Sequence, residues 1–169
     1  MLTGFAIQLL NGLAGASALF LVAVGLSLIF GVTRIVNFAH GSMYMIGLYL
    51  AYTLVHLFGV TAPGFWAAIV LAALAVGVLG ALVEVVVLRR IYRAPELFQL
   101  LATFAVVLML RDAVLYLWGP EDLLGPKAPG LTGAVTILGR SFPTYDLLLI
   151  FVGPAVLLAL WLVLKKTRA

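Results

Sequence analysis

The residues able to do chemistry are few and clustered. Between two long apolar runs lies Arg34-Ile35-Val36-Asn37-Phe38-Ala39-His40-Gly41, followed by Ser42 and Tyr44. This stretch sets a cation, an amide, an imidazole and a glycine side by side. One reading is a broken-helix or re-entrant element, because non-helical backbone at membrane depth survives only where protein or a water-filled cavity covers it. A helix starting near His40-Gly41-Ser42 would aim the positive end of its dipole into that space. The other reading is a tight interfacial turn, with Arg34 anchoring topology and Asn37 capping the next helix.

Three further charged positions fall within or near apolar segments: Glu84, Arg111 and Asp112. Charges in spans mark functional candidates. Glu84 has Arg89 and Arg90 close by in sequence, which favours an interfacial ion pair over a role in transport or partner docking. Arg111 can snorkel outward, and Asp112 suits a protein partner or an aqueous vestibule. His56 reads as an interfacial residue. Ala73, Gly77 and Ala81 recur every four residues, a spacing that lets helix backbones approach closely; packing is the expected role, with lining of a permeation path the alternative. No nucleophile–base pair is recognisable, so no catalytic residue is assigned. Two distant histidines and scattered carboxylates make no metal-ligand set. There is no phosphate-cradling G-x-x-x-x-G-K-S/T loop, and no cofactor is implied.

The elements that must position these residues follow from composition. The chain has 169 residues, 65% apolar and 9% charged, against roughly 25% charged in soluble domains. That excludes a water-soluble domain and, despite the basic balance, nucleic-acid binding. With no cysteine, disulfides and thiolate chemistry are excluded too. A span needs about 20 apolar residues, so the chain is expected to be an all-α integral membrane protein of about five helices, with membrane lipid as its main solvent. The spans are expected at about 4–31, 41–58, 64–88, 97–118 and 144–164. The first is roughly 42 Å long, more than a ~30 Å hydrocarbon core, so it must tilt or break, with Gly12, Gly15, Gly25 and Gly31 as places to bend. It reads as a retained helix, not a cleaved leader. The Pro- and Gly-rich stretch Gly119–Pro143 reads as an extramembrane loop.

Arg34, Arg89, Arg90, Arg93, Lys165, Lys166 and Arg168 fall at one set of helix ends, and only Lys127 and Arg140 on the other. Cytoplasmic loops carry the Lys and Arg excess, so the first set is expected inside. Trp66, Tyr116, Trp118 and Tyr145 fall at the outer ends, where aromatic belts form.

From Gly25 to Gly47, through Gly31-Val32-Thr33-Arg34-Ile35-Val36-Asn37-Phe38-Ala39-His40-Gly41-Ser42-Met43-Tyr44, the sequence resembles the branched-chain amino-acid ABC transporter permeases. The likeness continues more loosely through Glu84 and Arg89, where Val85 and Arg90 depart from the family pattern. It resumes at Leu101-Ala102-Thr103-Phe104-Ala105-Val106 and Trp118-Gly119. It covers the whole chain but only about the first half of a typical member. The chain thus reads as a single permease domain over 1–169, the N-terminal portion of a longer one, ending before the cytoplasmic coupling loop.

The resemblance implies a permease subunit of a binding-protein-dependent importer in a bacterial-type inner membrane, not an enzyme. It implies a second permease subunit, two ABC ATPase subunits, a periplasmic or extracellular substrate-binding protein and an amino-acid substrate. It places Asn37, His40, Gly41 and Tyr44 at a structural or pore-adjacent element. The alternatives are a family member for an amide or urea and a non-transporting membrane scaffold. A channel is disfavoured, because the mid-membrane zone lacks rings of charge. Gly41→Leu is expected to impair transport or assembly by blocking close backbone approach.

Overall fold

In the computed structural model, residues 2–137 and 139–166 are described. The elements run α1 (Leu2–Thr33), α2 (Ala39–Phe58), α3 (Ala62–Val83), a π-helical turn (Glu84–Leu88), α4 (Arg89–Ile91), α5 (Glu96–Trp118), β1 (Ala134–Ile137), β2 (Arg140–Pro143) and α6 (Thr144–Lys166). Five of the helical stretches are long and apolar enough to cross a membrane: Gly4–Thr33, Ala39–Phe58, Ala62–Ile91, Glu96–Trp118 and Thr144–Lys166. The protein is an all-α, multi-pass membrane protein. Most of its large apolar side chains are exposed, which suits helices whose solvent is hydrocarbon.

The expected spans correspond one to one with these helices, and the departures are local. α1 runs unbroken past Gly12, Gly15, Gly25 and Gly31. Glycine weakens a helix interior by roughly 1 kcal/mol, but a broken helix in lipid leaves polar backbone groups unsatisfied at several kcal/mol each. The third span continues to Ile91 instead of stopping at 88, because the π turn carries the helix on. The expected loop Gly119–Pro143 holds an antiparallel hairpin, with Ala134 opposite Pro143 and Ile137 opposite Arg140. Val135-Thr136-Ile137 is β-branched and favours a strand. Gly139, at φ +76°, takes the left-handed conformation the reversal requires.

Contacts group the residues into two compact units, Leu26–Pro126 and Met1–Gly25 with Lys127–Ala169. In the first, α2 packs on α3 and on α5. The buried face of α2 is Ala39, Ser42, Met43, Ile46 and Val55; that of α3 is Phe65, Ala68 and Ala72; that of α5 is Thr103, Val106 and Val114. These recur at helical three- and four-residue spacing. Gly47 lets Val76 come close, a Cβ there lying 3.5 Å from Val76 Cγ2. The far end of this unit is tied by Trp118, whose Nε1 donates to Thr53 Oγ1 at 2.8 Å and whose ring lies 5.4 Å from that of Tyr49. The α2–α3 corner is built by Thr61, which accepts from the Gly64 N–H at 3.3 Å, with Pro63 in the first turn.

In the second unit, α1 meets α6 where Ser17 and Gly153 are both buried. A Cβ on Gly153 would lie 2.7 Å from Ser17 Oγ, so only glycine fits. The hairpin joins α6 through Thr144, whose N–H and Oγ1 both donate to Gly133 O, and Phe142 is buried at 1% exposure. Lys165 sits over the Trp161 ring at 4.7 Å. Arg168, the last of the seven basic residues, lies outside the described residues.

Candidate functional site at the α1–α2 break

The site begins where α1 stops. Thr33 Oγ1 donates to Ile29 O at 2.9 Å and accepts from the Ile35 N–H at 3.3 Å. Arg34 then adopts φ +56° while its N–H still reaches Phe30 O at 2.8 Å. A left-handed residue just past the last turn is a common helix stop, usually glycine. The chain turns through Ile35–Phe38, and Asn37 starts the next helix: its Oδ1 accepts from the Ala39 N–H at 3.0 Å and its carbonyl from the His40 N–H at 3.2 Å. Two of the N–H groups that a helix start leaves unpaired are satisfied this way. Asn37 thus holds the first N–H groups of α2, and the helical path is interrupted between Thr33 and Ala39.

This break forms one wall of a cavity of about 510 Å³ within Leu26–Pro126. Leu28, Ile29, Val32 and Thr33 come from α1; Asn37, His40 and Met43 from the break and α2; Gly80, Ala81, Val83, Glu84 and Leu88 from α3 and the π turn. Small-molecule sites usually measure roughly 300–1,000 Å³ and pair an apolar lining with a few polar groups. Here the polar groups are Thr33, Asn37, His40 and Glu84. Gly80 and Ala81 leave the space that larger side chains would fill.

Glu84 opens the π turn, in which its carbonyl accepts from the Arg89 N–H, five residues on. Such widened turns are rare and recur at functional sites. The expected Glu84 ion pair with Arg89 or Arg90 is replaced by another partner: the Tyr92 hydroxyl donates to Glu84 Oε1. The Tyr92 phenol is pushed up to about 12, first by loss of water and then by the hydrogen bond and charge of Glu84, with Arg89 opposing. Tyr92 therefore remains a donor at any physiological pH. The corner below is fastened by Gln99, whose amide nitrogen reaches the Ile91, Tyr92 and Ala94 carbonyls at 3.3, 3.3 and 2.9 Å.

Of the residues singled out in the sequence, Asn37, His40, Glu84 and Ala81 share this cavity. Asn37 is buried at 8% exposure, and His40 and Glu84 are half-buried. Gly41 and Tyr44 are exposed and off its wall. A Cβ on Gly41 would have nothing within 4 Å, so no backbone approaches it closely among the described residues. Ala73, Gly77 and Ala81 are likewise exposed, and α3 packs through the adjacent Phe65–Ala68–Ala72 face instead. Val76, one turn beyond Ala72, continues that face and packs against Gly47 of α2. Arg111 and Asp112 are exposed on α5 and away from the cavity. The π turn, Tyr92 and Gln99 were not foreseen. Val85-Val86-Val87 carries no mark of a wider turn, although Tyr92 stands eight residues past Glu84, near two helical turns.

Five apolar spans and a largely apolar cavity with a few polar groups at a helix break define a multi-pass membrane protein. Residues 8–169 match the family described as branched-chain amino acid transport system / permease component. The chain belongs to that family, and its relatives are transport permeases. It is similar to the high-affinity branched-chain amino acid transport system permease protein BraD of Pseudomonas aeruginosa, 29% identical over 139 residues, covering 79% of this chain and 44% of the relative. It is similar to LivH of the same description from Salmonella typhimurium, 26% identical over 173 aligned positions, covering 95% and 55%, and to LivH of Escherichia coli, 28% identical over 143 residues, covering 79% and 44%. The chain spans about half the length of these relatives. No solved structure matches it.

Proposed function

We propose that this chain is an N-terminal, membrane-spanning portion of a permease subunit in a binding-protein-dependent ABC importer for branched-chain or related amino acids. The observation that carries this reading is the family match over residues 8–169, which takes in every cavity residue. The similarity to BraD and LivH, branched-chain amino acid permeases, supports the substrate class. The partners are a second permease subunit, two ABC ATPase subunits that supply the energy, and a substrate-binding protein outside an inner membrane. Asn37, His40 and Glu84 form part of the substrate path, and residues 1–169 act as one permease domain with Arg34, Arg89, Arg90 and Arg93 facing the cytoplasm.

The test is assembly and uptake together. Expressed with its neighbouring importer components, the tagged chain is expected to bring down an ABC ATPase pair in mild detergent. It is expected to support ATP-dependent uptake of labelled leucine, isoleucine or valine in cells without their own importer. Uptake of urea or acetamide instead reassigns the substrate, and absence of both ATPase and uptake leaves a membrane scaffold.

A further inference from the structure

The cavity beside the α1–α2 break combines linings that suit one kind of small molecule. Leu28, Ile29, Val32 and Val83 give it an aliphatic surface. Among the described residues, Glu84 at the π turn is the one carboxylate of the lining, which holds His40 but no Lys or Arg. The same cavity is lined by Asn37 and His40 at the start of α2, a 20-residue helix whose N-terminal end carries positive dipole charge. Asn37 spends its side-chain oxygen on the Ala39 N–H, so the group it can offer a ligand is its amide NH₂. A molecule with a cationic group, an anionic group and a short aliphatic body meets a partner for each.

We propose that this cavity takes aliphatic α-amino acids as zwitterions, with Glu84 accepting the α-ammonium, the Asn37 amide and the start of α2 facing the carboxylate, and the aliphatic wall holding the side chain. The proposal rests on the reading of the chain as an amino-acid permease and assigns its selectivity to one residue. Glu84 is a specificity-determining residue, since amides and urea carry no cationic centre for it to bind. Tyr92 is a positioning residue. Its hydroxyl holds Oε1 of Glu84 from outside the cavity wall and leaves the second oxygen for the ligand.

The test uses the whole chain in lipid nanodiscs and three probes read by ligand-observed NMR. Leucine has both charged groups, isocaproate lacks the ammonium and isoamylamine lacks the carboxylate. Leucine is expected to bind about tenfold or more tightly than isocaproate, the scale of one charge-assisted hydrogen bond. Glu84→Gln should bring leucine down to the isocaproate level and leave isocaproate unchanged. Tyr92→Phe, which keeps the carboxylate but removes its hydrogen bond, should narrow the leucine preference without abolishing it. Equal binding of leucine and isocaproate by the wild type overturns the proposal, as does an unchanged preference in Glu84→Gln. Equal loss of all three probes in Glu84→Gln also overturns it, because Glu84 would then only shape the cavity. Uptake assays separate this from the parent reading. Leucine import by the assembled Glu84→Gln complex with wild-type discrimination defeats the inference alone, whereas a wild type with no ATP-dependent amino-acid uptake defeats the reading beneath it.

Discussion

Two side chains at the α1–α2 break and the π turn hold the polar part of the cavity. Asn37 satisfies the first N–H of α2 with its own oxygen. Asn37→Ala is expected to lower stability in detergent by about 0.5–2 kcal/mol, the usual worth of a helix-start side chain. Asn37→Asp, which keeps an acceptor, should recover most of it, with thermal unfolding as the readout. Tyr92 makes a pH prediction. Its phenol has an ordinary value of 10.0 and is raised to about 12, so folding favours the protonated form. The contribution of its bond to Glu84 is complete below pH 10 and is lost as pH climbs towards 12. A phenolate absorbance titration of the folded protein should show a late step that Tyr92→Phe removes; an identical titration in the variant would count against the bond. Asn37 was legible as a cap because Asn before an apolar helix is a local signal. The Glu84 partner was not, because a bond across a π turn depends on a widening that the three valines do not announce.

The helices place two glycines under opposite constraints. At Gly153 an added Cβ would meet Ser17 Oγ at 2.7 Å and Ser17 Cβ at 2.8 Å. Gly153→Ala should therefore cost about 1–3 kcal/mol, as overpacking does. Ser17→Gly in the same chain should restore most of it, since both close atoms are then gone. Gly41→Ala meets nothing within 4 Å and is expected to leave unfolding unchanged or slightly raised, because alanine favours a helix over glycine by up to about 1 kcal/mol. Both glycines sit in helices, and only the neighbour across the contact tells them apart. Element number, type and order were readable from apolar run length. The ends moved by two residues or so, because α1 closes on Thr33 and Arg34 and α2 opens on Asn37, both through hydrogen bonds. The hairpin was not legible because Pro and Gly around a run of only three β-branched residues look like loop.

Charge sets the arrangement of the whole molecule in its membrane. Arg34 follows the end of α1, and Arg89, Arg90 and Arg93 lie at the end of the α3 stretch, with α2 and α3 packed side by side between them. A reporter enzyme fused after Arg93 is expected to be active only if it works in the cytoplasm, since Lys and Arg hold loops there. Activity of a periplasm-dependent reporter at that position would reverse the topology. Gly77→Ile on the exposed Ala73–Gly77–Ala81 stripe should leave the unfolding of the isolated chain unchanged, since nothing lies within 4 Å of a Cβ there.

The sequence alone determined that five apolar segments cross a membrane, because hydrocarbon admits backbone only as helix and each crossing needs a run of fixed length. It determined the family through the run around Asn37-Phe38-Ala39-His40-Gly41, and it marked Asn37, His40 and Glu84 as polar groups out of place among apolar neighbours. Tertiary structure decided that these three line one cavity, although Glu84 lies 44 positions beyond His40 in the chain. It also decided that Gly41 and Tyr44 face away, that α3 packs by Ala68 and Ala72 in place of Ala73 and Gly77, and that Glu84 is held by Tyr92. Each of these depends on the rotation of one helix against another. Along an apolar helix with small residues on several faces, rotation is set by the partner and not by the pattern.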